Sequence, residues 1–197
     1  ATMKKTLGPE YEPMRNILPV TAGFRGQIGE MSAIPHAIAT KRMIKKGNVI
    51  LGEVSVDVGG YSCELERTMI FGKPTPKQKR YFNVMAKAQE AAFQTLKPRV
   101  KCSEIDRATI SVFKKAGLTH LVKHHTGHGS GLEVHEPPWL DVGNDEPLRA
   151  GMIVSIEPGI YEPGFAGFRH SDTVLITEDS AELITYYPRN LDALTIS

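Results

Sequence analysis

Cysteine is scarce in this chain: Cys63 and Cys102 are the two among 197 residues, and they form no CxxC pair. That leaves neither a redox dithiol nor a disulfide framework, so both are expected as free thiols in a reducing cytoplasm. Long apolar runs are missing too, and no membrane-spanning segment is expected. Charge of either sign is nearly balanced, with 24 Lys and Arg against 22 Asp and Glu and a formal net charge of +2. A nucleic-acid binder carries a larger and more clustered basic excess, so no such partner is expected. The longest basic cluster, KRMIKK at Lys41–Lys46, is interrupted by Met43 and Ile44 and reads as a solvated strand entry. An initiator Met is also absent. The opening ATMKKTLG reads like the end of a helix closed by Gly8, as in a piece of something longer.

What is present describes an ordinary globular protein, with 41% hydrophobic and 23% charged residues in a length that suits one domain with a sizeable core. Prolines and glycines from Pro9 to Pro35 predict extended segments and loops, with His36 presented from an extended edge after Pro35. Val49–Val58 is rich in β-branched residues, Gly59-Gly60 marks a turn, and YSCELERTMIF returns, which predicts a hairpin. Its acidic residues Glu53, Asp57, Glu64 and Glu66 are unusual in strands, so one face is either solvated or lines a polar cleft. Thr75-Pro76-Lys77-Gln78 has capping-box spacing and predicts a helix to about Leu96, stopped by Pro98. A second helix is expected from a Ser103 cap to Gly117. Met152–Ile156, FRHSDTVLITED and AELITYY predict further strands.

Chemistry concentrates in HHTGHGSGLEVHE, His124–Glu136. Those thirteen residues hold four of the seven histidines, threaded with Gly127, Gly129 and Gly131. On either side of it lie two similar segments, GNVILGE (Gly47–Glu53) and GMIVSIE (Gly151–Glu157). Each has a glycine, an apolar strand and a glutamate six residues on. Two related halves would then present two carboxylates to one cleft. The alternative is that two hydrophobic strands each happen to end in Glu. Glu53, Glu64, His128 and Glu157 together would make an oxygen-rich site with one imidazole, suited to Mn, Co, Fe or Zn. Such an ion polarises carbonyls and lowers the pKa of bound water.

The segments IPHA, GGYSCELERT, HTGHGSGLEVHEPP, LRAGMIVSIEPGIY and FRHSDTVLIT, in this order from about Pro35 to Thr185, resemble the pita-bread hydrolases. These include methionine aminopeptidase, Xaa-Pro dipeptidase, aminopeptidase P and creatinase. The resemblance implies an α+β pita-bread fold of two pseudo-symmetric halves, with a curved antiparallel sheet backed by helices. It implies one catalytic domain over residues 1–197, lacking the N-terminal domain of longer relatives, and a homodimer. The family's metallopeptidases use five ligands, Asp, Asp, His, Glu and Glu, which fall on Glu53, Glu64, His128, Glu157 and Ser171. Three of the five positions depart from the pattern. A neutral hydroxyl at Ser171, in place of a bridging carboxylate, disfavours a two-metal centre.

The resemblance therefore implies hydrolysis of a C–N bond in a small substrate, such as an Xaa-Pro dipeptide, with one divalent metal at most. His128, His135 and Glu157 take the catalytic roles, and His36, His124, Arg169 and His170 face the substrate. Arg169 matches an arginine that can receive a substrate carboxylate. Creatinase shares LERT (Leu65–Thr68) and works without metal, so a metal-independent amide or amidine hydrolase, with His128 as general base, is the first alternative. An inactive module binding peptides or proteins is the second.

Overall fold

The computed structural model describes residues 20–38 and 40–197. The expected helix end at Ala1–Gly8 and the loops of residues 9–19 lie outside them. In chain order the strands are β1 (Val20–Ile28), β2 (Val49–Val58), β3 (Tyr61–Phe71), β4 (Gly127–Gly129), β5 (Glu136–Leu140), β6 (Ile153–Ile156), β7 (Gly159–Glu162), β8 (Ala166–Arg169), β9 (Asp172–Ile176), β10 (Ala181–Leu183) and β11 (Thr195–Ile196). Helices α1 (Pro76–Thr95) and α2 (Cys102–Lys115) come between β3 and β4.

The hairpin β2–β3 forms as expected, through Gly59 and Gly60 at φ 63° and 84°. Two consecutive positive-φ residues give a two-residue loop the twist that matches its flanking strands. β1 pairs along β2 from Val58 to Ile50, so the region expected as extended pieces and loops holds a nine-residue strand. Long-range pairing, invisible to local composition, makes it one. The first sheet runs β1-β2-β3-β11 and the second β10-β9-β6-β4-β5, while β7 and β8 pair separately. All these pairings are antiparallel except β11 with β3.

Helix α1 opens on the expected capping box. The Gln78 amide donates to Thr75 Oγ1 at 3.2 Å, and the Thr75 amide donates to Gln78 Oε1 at 2.9 Å. Its buried face, Phe82, Met85, Ala88 and Ala92, backs both sheets. Helix α2 starts one residue before the expected cap. The Ser103 hydroxyl is taken by Asp145 Oδ1 at 2.6 Å. The first helical amides, Cys102 and Ser103, instead donate to the carbonyls of Glu146 and Asn144. Loop backbone satisfies the groups that a side-chain cap would serve. No described helix is long and apolar enough to cross a membrane.

The two similar segments start alike, with Gly47 at φ 90° and Gly151 at φ 87° leading into β2 and β6. The halves meet where FRHSDTVLITED, expected as one strand, divides into β8 and β9. At that break Glu66 and Ser171 exchange both backbone hydrogen bonds at 3.0 Å. Just beside it the buried Arg67 guanidinium pairs with Asp172 at 2.7 Å and donates to the carbonyls of Glu66, Ser171, Tyr187 and Pro188. Every arm of this buried cation is occupied, which is the condition for burying it at tolerable cost.

Candidate functional site

The glycines around His128 are there for close backbone approach. A Cβ on Gly127 would sit 1.9 Å from the Ser155 carbonyl oxygen, and one on Gly129 would sit 2.5 Å from that of Pro137. Glycine alone lets β4 slot between β5 and β6, and the slot buries His128 completely. His128 Nδ1 lies 2.9 Å from its neighbour's carbonyl, Gly129 O, so Nδ1 carries the proton and donates. That fixes Nε2 as the free nitrogen. It has no hydrogen-bond partner and points between Glu157 Oε1 at 3.4 Å and Glu64 Oε1 at 3.6 Å.

The hairpin supplies the facing wall. Residues paired across antiparallel strands share a face, so Glu53 with Glu66, and Ser55 with Glu64, look the same way. Glu64 is buried and accepts hydrogen bonds from Ser155 Oγ and, at 2.8 Å, from Ser171 Oγ. The ring of His135 stands 4.2 Å from that of His128 and is exposed at the mouth. One ligand atom each from Glu64, His128 and His135 lies within 4.8 Å of the others, a group that fits a divalent metal. Glu157, expected as a ligand, lies outside this group, and so does Glu53, expected likewise. Glu53 stands opposite Arg25 on β1 and is ion-paired with it, because the unforeseen strand β1 delivers a cation there.

Arg169 is the second cation, and only 1% of it is exposed. Its Nε is ion-paired with Glu66, also 1% exposed, and lies 3.7 Å from Glu157 Oε2, while Nη2 lies 3.6 Å from Glu53 Oε2. Burial raises the Glu66 carboxyl to about 7 against the opposing pull of Arg169. For Glu157, burial again opposes ionisation, but the facing His128 imidazole and the Arg169 guanidinium outweigh it and hold the carboxyl down at about 2. Burial likewise lowers His128, yet Glu157 and Glu64 together carry it above the ordinary imidazole value.

His124 is held between two partners. Its Nδ1 faces the His125 carbonyl at 2.8 Å and its Nε2 meets the buried Tyr161 hydroxyl at 2.7 Å. A neutral ring that donates from Nδ1 and accepts from tyrosine satisfies both, and burial, its largest influence, lowers the His124 pKa accordingly. His36 is exposed at the rim, its ring 6.2 Å from that of His135. Burial lowers the pKa of both rim histidines. His170 is elsewhere, which corrects its expected substrate-facing role. Arg169 and Ser171 turn to the glutamates, whereas His170 turns away and packs edge-on against Phe82 of α1 at 5.2 Å, wholly buried. Burial lowers its pKa strongly.

Sequence reasoning passed over Arg25, Ser155 and Tyr161 and left Glu66 as structural or solvated. Glu66 could have been found from strand periodicity, since it lies two residues from Glu64 and so on the same face. Nothing local marks Arg25, Ser155 or Tyr161.

A curved sheet of two related halves backed by helices, with a His/Glu group in the cleft, defines the pita-bread hydrolase fold. Residues 23–178 match metallopeptidase family M24, and the chain belongs to that family. It is 35% identical over 163 residues to the Xaa-Pro dipeptidase of Pyrococcus furiosus, covering 83% of this chain and 47% of that protein. Among solved structures it superposes on dipeptidase PepE from Mycobacterium ulcerans with a TM-score of 0.85 and 35% identity, covering 90% of this chain and 47% of the other. The X-Pro aminopeptidase from Thermotoga maritima follows at a TM-score of 0.84 and 29% identity, with 88% and 49% covered. The chain thus spans about half the length of the relatives it matches.

Proposed function

We propose that this chain carries the active site of a dipeptidase that hydrolyses the C–N bond of a small substrate of Xaa-Pro type with one divalent metal ion. The observation that carries the reading is His128 Nε2, fully buried, unpartnered and aimed between two carboxylates. A buried nitrogen left without a partner is costly unless something occupies the space before it. Glu64, His128 and His135 are the residues to hold the ion, drawn from Mn, Co, Fe or Zn. When bound, the ion supplies Lewis acidity toward the scissile carbonyl and its attacking water.

The chain's own groups do the rest. Glu157, ionised through most of the pH range, faces His128 with one oxygen and Arg169 with the other. His36, its pKa lowered by burial and so largely neutral at the mouth, offers a donor to a developing oxyanion. Tyr161 fixes the ring of His124.

The second reading, a metal-independent amide or amidine hydrolase, is favoured by the two serine hydroxyls that satisfy Glu64 Oε1 without a cation. One experiment separates the two. Purified protein is offered a panel of Xaa-Pro dipeptides and small amides, with added Mn and with chelator. Dipeptide turnover that chelator abolishes supports the first reading, and turnover of an amide or amidine untouched by chelator moves the assignment to the second. No turnover of either class refutes both.

A further inference from the structure

We infer that the Arg169 guanidinium, fixed by Glu66, is a built-in cation of this site that limits it to one divalent metal ion. The inference deepens the one-ion reading above and rests on it.

The charges are laid out in rows. Across the first sheet Arg25, Glu53 and Glu66 are consecutive partners on β1, β2 and β3 and so share one face. Arg169, arriving from β8, pairs with Glu66 and also approaches Glu53. Two arginines therefore pair with two glutamates. The next row along the same face holds Glu64, which looks at His128 with Glu157 opposite. Once each arginine neutralises its glutamate, Glu64 and Glu157 remain, two negative charges matched to a single divalent cation. Ser171 stands where the family pattern has a carboxylate, and the Glu66 carboxylate is engaged by a guanidinium.

Geometry makes Arg169 a fixture. It is buried, its Nε is taken by Glu66, and its Nη2 is 3.3 Å from the Pro35 carbonyl and 3.6 Å from Glu53. Two of its three nitrogens are thus engaged by the protein, Nε by Glu66 and Nη2 by the Pro35 carbonyl. It also stands between Glu53 and Glu157, the two glutamates that end the similar segments, where its charge repels a second metal ion.

The test is Mn²⁺ titration of the metal-stripped full chain at pH 8, by calorimetry with elemental analysis of the saturated protein. Wild type is expected to take one ion. Glu66→Leu with Arg169→Met removes both charges without stranding either, and should take a second ion or bind the first at least tenfold more tightly. Arg169→Lys keeps the charge and should stay at one ion. Glu66→Gln keeps the shape, leaves Arg169 to Glu157 and should weaken Mn²⁺ binding at least tenfold. Two ions in wild type would overturn the inference. So would unchanged affinity in Glu66→Gln, or second-ion binding by Arg169→Lys. Wild type binding none while the double variant binds one would sink the one-ion reading and uphold Arg169 as the excluding cation.

Discussion

Gly127→Ala puts the packing around His128 to a quantitative test. The added methyl carbon would lie 1.9 Å from the Ser155 carbonyl oxygen and 3.2 Å from Leu140 Cδ1. Carbon–oxygen contacts settle at about 3.3–3.6 Å, so β4 has to retreat from β6 by roughly 1.5 Å. The obstacle is backbone and cannot swing away. Overpacking of this kind costs about 1–3 kcal/mol, and loosening the β4–β6 ladder adds about 1 kcal/mol per hydrogen bond lost. A total near 3 kcal/mol lowers Tm by roughly 6–12 °C in a chain of this size. Gly143→Ala is the control, because its Cβ meets only Asp141 Oδ1 at 3.6 Å and its φ is not positive. It should stay within about 0.5 kcal/mol of wild type. Urea and thermal unfolding of the two variants decide. If Gly127→Ala is as stable as Gly143→Ala, β4 is not wedged between its neighbours and the explanation for the buried His128 fails.

Two further outcomes follow from buried charge. Arg67→Met strands the buried Asp172 carboxylate and should cost about 3–5 kcal/mol in urea unfolding, whereas a loss below about 1 kcal/mol would show the Arg67–Asp172 pair to be dispensable. The pH profile of the metal-stripped protein should fall off on both sides. The Glu157 carboxyl is depressed from the ordinary 4.5 to about 2, so its contribution is present above 4.5 and lost as pH falls toward 2. That shift corresponds to about 3 kcal/mol. Glu66 is raised from 4.5 to about 7, so its contribution is present below 4.5 and lost as pH rises through 7, and the raised His128 adds to the same limb. Urea unfolding at pH 3, 5 and 8 should therefore show Glu157→Gln flattening the acid limb and Glu66→Gln the alkaline one. Slopes identical to wild type would refute the assignment.

Much of this architecture was legible because local signals and long-range pairing agree. Thr75 and Gln78 cap α1 by contacts three residues apart, and Gly59-Gly60 dictates its own turn. The density of histidine and glycine around His128 marked the site. What escaped depends on partners far along the chain. Arg25 matters only because β1 pairs with β2 and brings it opposite Glu53. Ser155 and Tyr161 look like filler in an apolar segment until the fold sets one against Glu64 and the other against His124. His170 misled because it stands beside Arg169 in sequence, whereas side chains that alternate along an extended backbone send neighbours to opposite faces.

The measurement closest to the central claim is kcat/KM for an Xaa-Pro dipeptide, with Mn²⁺ present, for wild type and His128→Gln, each checked by thermal unfolding. Glutamine fills the slot but cannot present the free Nε2 between Glu64 and Glu157. The account predicts measurable turnover by wild type and a fall of about 10³-fold or more in the variant, comparable to removing a principal catalytic group, with folding preserved. A His128→Gln protein that hydrolyses the dipeptide within tenfold of wild type would contradict it.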